Sequence, residues 1–174
     1  EEEGKPFICF PDGVEERNFT QRAPTKLAAK IRNGVPLKLS VTQAQLCNDE
    51  VQDALIQAKG PIDLSISSEA FAETALLGCL EPFKERLCGL GGGFTDGSAP
   101  QIAQFPYLKR FISGSDFTGA GLAHLSGLRN LKALTLRETP ITDAGLAHLR
   151  GLRNLQELNL KGTPITDAGV AHLS

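Results

Sequence analysis

The sequence predicts an α/β solenoid: about six strand-turn-helix coils, one parallel sheet on the concave side, and a helical cap at the N-terminus. Three observations carry that prediction. The first is repetition. LRNLKALTLRETPITDAGLAHLRG (Leu128–Gly151) and LRNLQELNLKGTPITDAGVAHLS (Leu152–Ser174) are copies of one 24-residue phrase, and FPYLKRFISGSDFTGAGLAHLSG (Phe105–Gly127) is a looser copy one residue short. The second is a change of period inside the phrase. Leu134 and Leu136 alternate with Ala133, Thr135 and Arg137, as in a strand, whereas Leu146 and Leu149 are three apart, as on one face of a helical turn. The third is that these spacings continue upstream, as set out below. No single unit can bury its leucines alone, but stacked units bury them in one continuous core.

Taken in order, residues 1–24 read as an irregular segment. EEEGKP is charged, and Phe7, Ile8 and Phe10 form a short apolar run. Asn18-Phe19-Thr20 fits the N-glycosylation acceptor, a motif frequent by chance. Residues 25–34 read as a cap helix, with Thr25 at its start, Leu27 and Ile31 on one face, and Asn33-Gly34 at its end. Val35–Val41 is the first strand of the solenoid, and a helix follows from about Asp49 to Lys59. Pro61–Ser67 is the next strand, and Glu69–Leu80 the next helix.

The regular copy places Ile141, Leu146 and Leu149 at fixed steps after Leu134 and Leu136. From Leu39 the same steps land on Val41, Leu46, Val51 and Ala54. From Leu64 they land on Ile66, Phe71, Leu76 and Cys79. From Leu87 they land on Gly89, Phe94, Ala99 and Ile102, and Phe111 and Leu158 continue the series. Gly89 and Ser113 are the poor fits. Residues 35–104 are therefore degenerate repeats, 105–174 regular ones, and 25–174 one solenoid.

The phrase L-x-L-x-x-T-x-I-T-D-A-G-L-x-x-L resembles the leucine-rich-repeat family, with Thr139 and Thr163 where that family usually has Asn or Cys. The I-T-D-A-G-L segment is similar to the cysteine-containing subtype of bacterial and F-box-associated repeats. A buried threonine hydroxyl can still bond a neighbouring backbone group. Within each copy, Thr142 and Asp143 are suited to cap the following helix. The resemblance implies a non-catalytic scaffold that binds a protein on its concave strand face. The alternative it implies is a substrate-recognition adaptor or effector in a ubiquitin-ligase-type system.

The chain has 174 residues and a net charge of −2, so charge points to neither nucleic acid nor a membrane surface. No apolar run reaches membrane-span length. It begins at Glu1 and contains no Met, as expected of a processed chain or an excised domain. Cys47, Cys79 and Cys88 fall in different slots of the repeat, which predicts no disulfide among them. Cys9 is unplaced, and no C-x-x-C pattern suggests zinc. His124, His148 and His172 share one slot and read as copied surface residues rather than a metal column. Gly89–Ser98 is glycine-rich but lacks the context of a phosphate-binding loop. No separately placed nucleophile accompanies the histidines, so no catalytic set, metal or cofactor is expected.

The strand face is the expected partner surface. Its outward positions include Arg86, Leu90, Arg110, Ile112, Arg137, Glu157, Asn159 and Lys161. Arg86 beside Arg110, with Leu90 and Ile112 nearby, would combine arginine with exposed aliphatics, the composition of an interaction hot spot. The last coil has no polar capping unit after it, so self-association through that end is also expected.

Overall fold

The computed structural model describes residues 17–18, 28, 31, 37–58, 60–67 and 73–173. Seven strands form one sheet in chain order, every neighbouring pair parallel. They are β1 (Arg17–Asn18), β2 (Leu37–Thr42), β3 (Ile62–Ser67), β4 (Leu87–Gly91), β5 (Arg110–Ile112), β6 (Ala133–Thr135) and β7 (Glu157–Asn159). The helices between them are α1 (Gln43–Leu46), α2 (Asp49–Gln57), α3 (Glu73–Leu80), α4 (Ala99–Ile102), α5 (Gly119–Leu125), α6 (Asp143–Leu146) and α7 (Asp167–Val170). Most of the segment read as irregular and of the expected cap helix lies outside the described residues. Arg17–Asn18 pairs with Leu39–Ser40, and the helical residues Ala28 and Ile31 are buried in the core.

The coils form because the apolar residues change period at each strand end. In β2 the alternation is regular, with Leu37, Leu39 and Val41 buried beneath half-exposed Lys38, Ser40 and Thr42. Thr42 then starts α1 with a capping box. Its hydroxyl accepts from Gln45 N at 3.2 Å, and Gln45 Oε1 accepts from Thr42 N at 3.0 Å. Asn48 starts α2 by accepting from the N–H groups of Glu50 and Val51. Helix α2 then buries Val51, Ala54 and Leu55. One apolar cluster runs from Ala28 to Leu152, continuous through every coil. In its middle, Phe94, Phe111 and Phe117 stack with ring centroids 5.8 and 5.6 Å apart. Buried Thr139 ties back to its own strand end, its hydroxyl donating to Leu136 O at 2.8 Å; Thr163 does the same to Leu160 O at 2.6 Å.

The strand ladder follows the expected steps at five of six coils: Leu39 aligns with Leu64, and Phe111 with Leu134 and Leu158. It departs at β4. Leu87 pairs with Ile62, the register then shifts, and Leu90 rather than Leu87 aligns with Leu64 and Phe111. A β-bulge puts one extra residue, Cys88, into β4. On the helix side the expected Phe94, Ala99 and Ile102 are all fully buried. The irregular coil therefore keeps its helix slots while its strand slots move.

Candidate functional site

Two rows of side chains cross the outer face of the sheet, one from each of two alternate strand positions. The first runs Lys38, Asp63, Gly89, Arg110, Ala133, Glu157, and the second Ser40, Ser65, Gly91, Ile112, Thr135, Asn159. In the first row, Asp63 is 2% exposed although it stands on the outer face. The guanidinium of Arg110 covers it, donating from Nε to Oδ2 at 2.9 Å and from Nη2 to Oδ1. This bidentate pair joins β3 to β5 across the intervening β4. It can do so only because Gly89 lies between them, since a Cβ there would stand 2.2 Å from the Asp63 carboxyl carbon. The poor fit of Gly89 to the repeat is thus a requirement of the bridge. Paired charges 47 positions apart leave no periodic signal, so reading the strands as isolated repeats places Asp63 outward but misses its pairing with Arg110.

Two expected members of the face are elsewhere. Leu90 points inward and is fully buried, because the bulge reverses the alternation ahead of it. Arg86 precedes β4 and reaches toward the helix side. Its guanidinium donates from Nη1 to Ala58 O and from Nη2 to Leu55 O, carbonyls at the C-terminal end of α2. A cation there meets the negative end of the helix dipole. Burial lowers its pKa, the direction expected when a charged group loses water. The expected pairing of Arg86 with Arg110 therefore does not exist: Gly89 holds the position beside Arg110.

Of the remaining expected residues, Arg110, Ile112, Glu157 and Asn159 lie in these rows, and Arg137 and Lys161 follow the ends of β6 and β7. Arg110 and Ile112 are half-buried on β5, while Arg137, Glu157, Asn159 and Lys161 are exposed along the last two coils. Asn159 Oδ1 accepts from Lys161 N at 3.1 Å and closes the end of β7. Over β2 to β5 the face sinks into a hollow of about 290 Å³ lined by Ser40, Ser65, Ile66, Ser67, Gly91, Gly92 and Ile112. Gly91 has no side chain to fill it, and Ile112 forms its wall.

At the helix edge the T-D-A-G motif does more than cap. Thr118 and Thr166 each accept from the N–H two residues on, starting α5 and α7. The aspartates reach forward to the next coil. Asp96 takes the Thr118 hydroxyl, Thr118 N at 2.7 Å and Gly121 N at 3.0 Å; Asp143 takes Thr166 N at 2.9 Å and the Thr166 hydroxyl at 2.6 Å. The glycine of the motif clears space, because a Cβ on Gly169 would stand 2.2 Å from Asp143 Oδ1. The Thr166 hydroxyl, followed by its N–H, lowers the pKa of Asp143, with His172 adding a smaller charge effect. The coil of β5 has Gly119 in the aspartate slot, and Thr142 accordingly starts α6 with no side-chain cap bond. Asparagines add a second tie between coils: Asn130 donates to Pro106 O at 2.8 Å and Asn154 to Arg129 O at 2.6 Å.

The cysteine expectation is corrected. Cys47 and Cys79 form a disulfide, with Cα atoms 5.5 Å apart, and Cys88 is buried and is not disulfide-bonded. Slot equivalence holds on the strand side but fails on the helix side of the first coils. The short α1 follows β2 at once and packs against α3 of the next coil, bringing its C-cap Cys47 to Cys79. Cys9 lies outside the described residues. Among the histidines, His124 and His148 are exposed, and His172 accepts from Arg150 Nε through its carbonyl at 3.0 Å.

The last coil matches a family model described as a leucine-rich repeat, over residues 151–174. No curated protein matches the chain. Among solved structures, an internalin from Listeria monocytogenes is similar at 17% identity and a TM-score of 0.38, covering 78% of this chain and 51% of its own. This chain thus spans about half the length of that one. With seven parallel strands in sequence order and helices returning between them, the described residues form an α/β solenoid, and its last coil matches the leucine-rich-repeat model.

Proposed function

We propose that the chain is a non-catalytic scaffold that binds a protein partner on the outer face of its sheet. The observation that carries this is the face itself. In a sheet whose strands lie roughly 4.8 Å apart, the outward rows present Arg110, Ile112, Glu157 and Asn159 on one surface, with Arg137 and Lys161 exposed just beyond the last two strands and Arg110 already fixed by Asp63. Arginine and a half-exposed aliphatic beside a hollow are the composition that concentrates binding energy. Pre-ordering the Arg110 side chain removes part of the entropy cost of association. Cys47–Cys79 weighs against the ubiquitin-ligase alternative, because disulfides persist in oxidising compartments and are rare in the cytosol.

Photo-crosslinkers placed at Ile112 and Thr135, with Ala144 on the helix side as control, test the reading. One protein captured from the face positions and absent from the control is the expected result. Equal capture from both sides, or capture undiminished by Arg137→Ala/Asn159→Ala/Lys161→Ala, overturns it. The last coil also exposes Val170 at 51% and Leu173 at 38%, a second apolar surface suited to self-association. Sedimentation of wild type against Val170→Glu/Leu173→Glu checks that surface. A wild type no heavier than the variant at any concentration removes it.

A further inference from the structure

We infer that the hollow over β2 to β5 is a socket for one neutral aromatic side chain of a protein partner, tyrosine above all. This deepens the reading of the sheet face as a protein-binding surface and rests on it. The socket is a product of the bulge. With Cys88 inserted, β4 presents only Gly89 and Gly91 outward, between a strand of serines and the Ile112 side chain. Bulges often re-aim a strand beside a binding site. Here the bulge leaves a depression of about 290 Å³ in the middle of the face, where a flat sheet would have none.

The lining selects the occupant by charge. Among the described residues no ionisable side chain lines the hollow, and its charged neighbours, Asp63 and Arg110, are paired with each other. A carboxylate or ammonium entering it would lose water without gaining a counter-charge, an unfavourable exchange. A neutral side chain does not meet that cost. The lining is also two-sided. Ile112 and the Gly91–Gly92 backbone give an apolar wall and a flat floor, while Ser40, Ser65 and Ser67 bring hydroxyls to the other end. A tyrosine matches both, ring against Ile112 and phenol toward the serines. Tyrosine also loses little conformational entropy when held, which suits it to anchor a partner.

The test uses N-acetyl-tyrosinamide, N-acetyl-leucinamide and N-acetyl-glutamate as probes on the 174-residue chain, read by amide chemical shifts. The tyrosine probe is expected to bind in the millimolar range and shift the amides of Ser65, Gly91, Gly92 and Ile112. It should bind at least about tenfold tighter than the glutamate probe, and measurably tighter than the leucine probe. Ser65→Leu fills the hollow from the neighbouring strand and should abolish those shifts, with the remaining spectrum confirming the fold. No response at these amides, a response that survives Ser65→Leu, or equal binding of the glutamate or leucine probe overturns the inference. Capture of a partner by Ile112 and Thr135 crosslinkers with no preference for tyrosine would leave the scaffold reading intact and remove this one alone.

Discussion

Removing the Cys47–Cys79 disulfide should destabilise the N-terminal coils far more than the C-terminal ones. The bond closes a loop with a sequence separation of 32. In the chain-entropy account, a closure of that size restricts the unfolded ensemble by about 3.7 kcal/mol at 25 °C. For a chain of this length, such a loss lowers Tm by about 7–15 °C if unfolding stays cooperative. A solenoid lets the loss appear locally, because each coil is held chiefly by its neighbours. Cys47→Ser/Cys79→Ser, measured by calorimetry and by amide exchange, is the assay. The expected result is a lower Tm, with faster exchange in α1, α2 and α3 and little change from β5 onward. Alkylation and mass analysis of the native protein should show Cys47 and Cys79 protected until reductant is added. Four alkylatable thiols in the native, non-reduced protein, or an unchanged melt after both are shown to be reduced, refutes the reasoning.

Four further outcomes are expected. Arg110→Ala leaves the buried Asp63 carboxylate without its partner and should cost about 2–3 kcal/mol in chemical denaturation. Gly89→Ala should cost a similar amount by driving a methyl group into that carboxylate; a loss below about 0.5 kcal/mol would show that the bridge is not held across β4. Acid should loosen the last coil through Asp143. Its pKa is lower in the folded chain than in the unfolded one, so its contribution is complete above about pH 4 and disappears as pH falls through the native value. Exchange at Thr166 and Gly169 should therefore rise on acidification, and Thr166→Val should blunt that rise. Gly119→Asp should install the missing forward link to Thr142 and raise stability by about 1 kcal/mol, read as a higher Tm; a lower Tm would mean that the close approach of Gly119 to Gly145 matters more than the link.

Much of this architecture was legible because repetition multiplies a weak signal. Leu134 and Leu158 identify one slot, and the same steps find Leu39, Leu64 and Phe111 in coils whose wording has worn away. The steps fail where the chain departs from translation along the stack. The bulge at Cys88 shifts Leu90 inward, and no local propensity marks it, since Leu-Cys-Gly-Leu-Gly reads equally well in either register. Arg86 was misplaced by the same shift. The disulfide was missed for a related reason: equal slots predict neighbours only along the stack, whereas the short helix α1 carries Cys47 against α3, where Cys79 sits in a different slot. The pairing of Asp63 could be found only by asking which outward acid has a cation two strands away and a glycine between them. The exposure of Arg137, Glu157, Asn159 and Lys161 needed no such question, because they lie in the most regular copies.

The bridge from Asp63 to Arg110 changes what kind of object the stack is. A solenoid whose coils interact only with adjacent coils behaves as a linear chain of independent junctions, and any junction can be the first to part. A tie that skips one coil binds two consecutive junctions into a single event: neither the β3–β4 nor the β4–β5 boundary can open while the guanidinium stays on the carboxylate. The middle of the molecule should thus behave as a block three strands wide, with a shared threshold for opening. The hollow on its surface lies within that block and should keep its shape while the ends of the stack breathe.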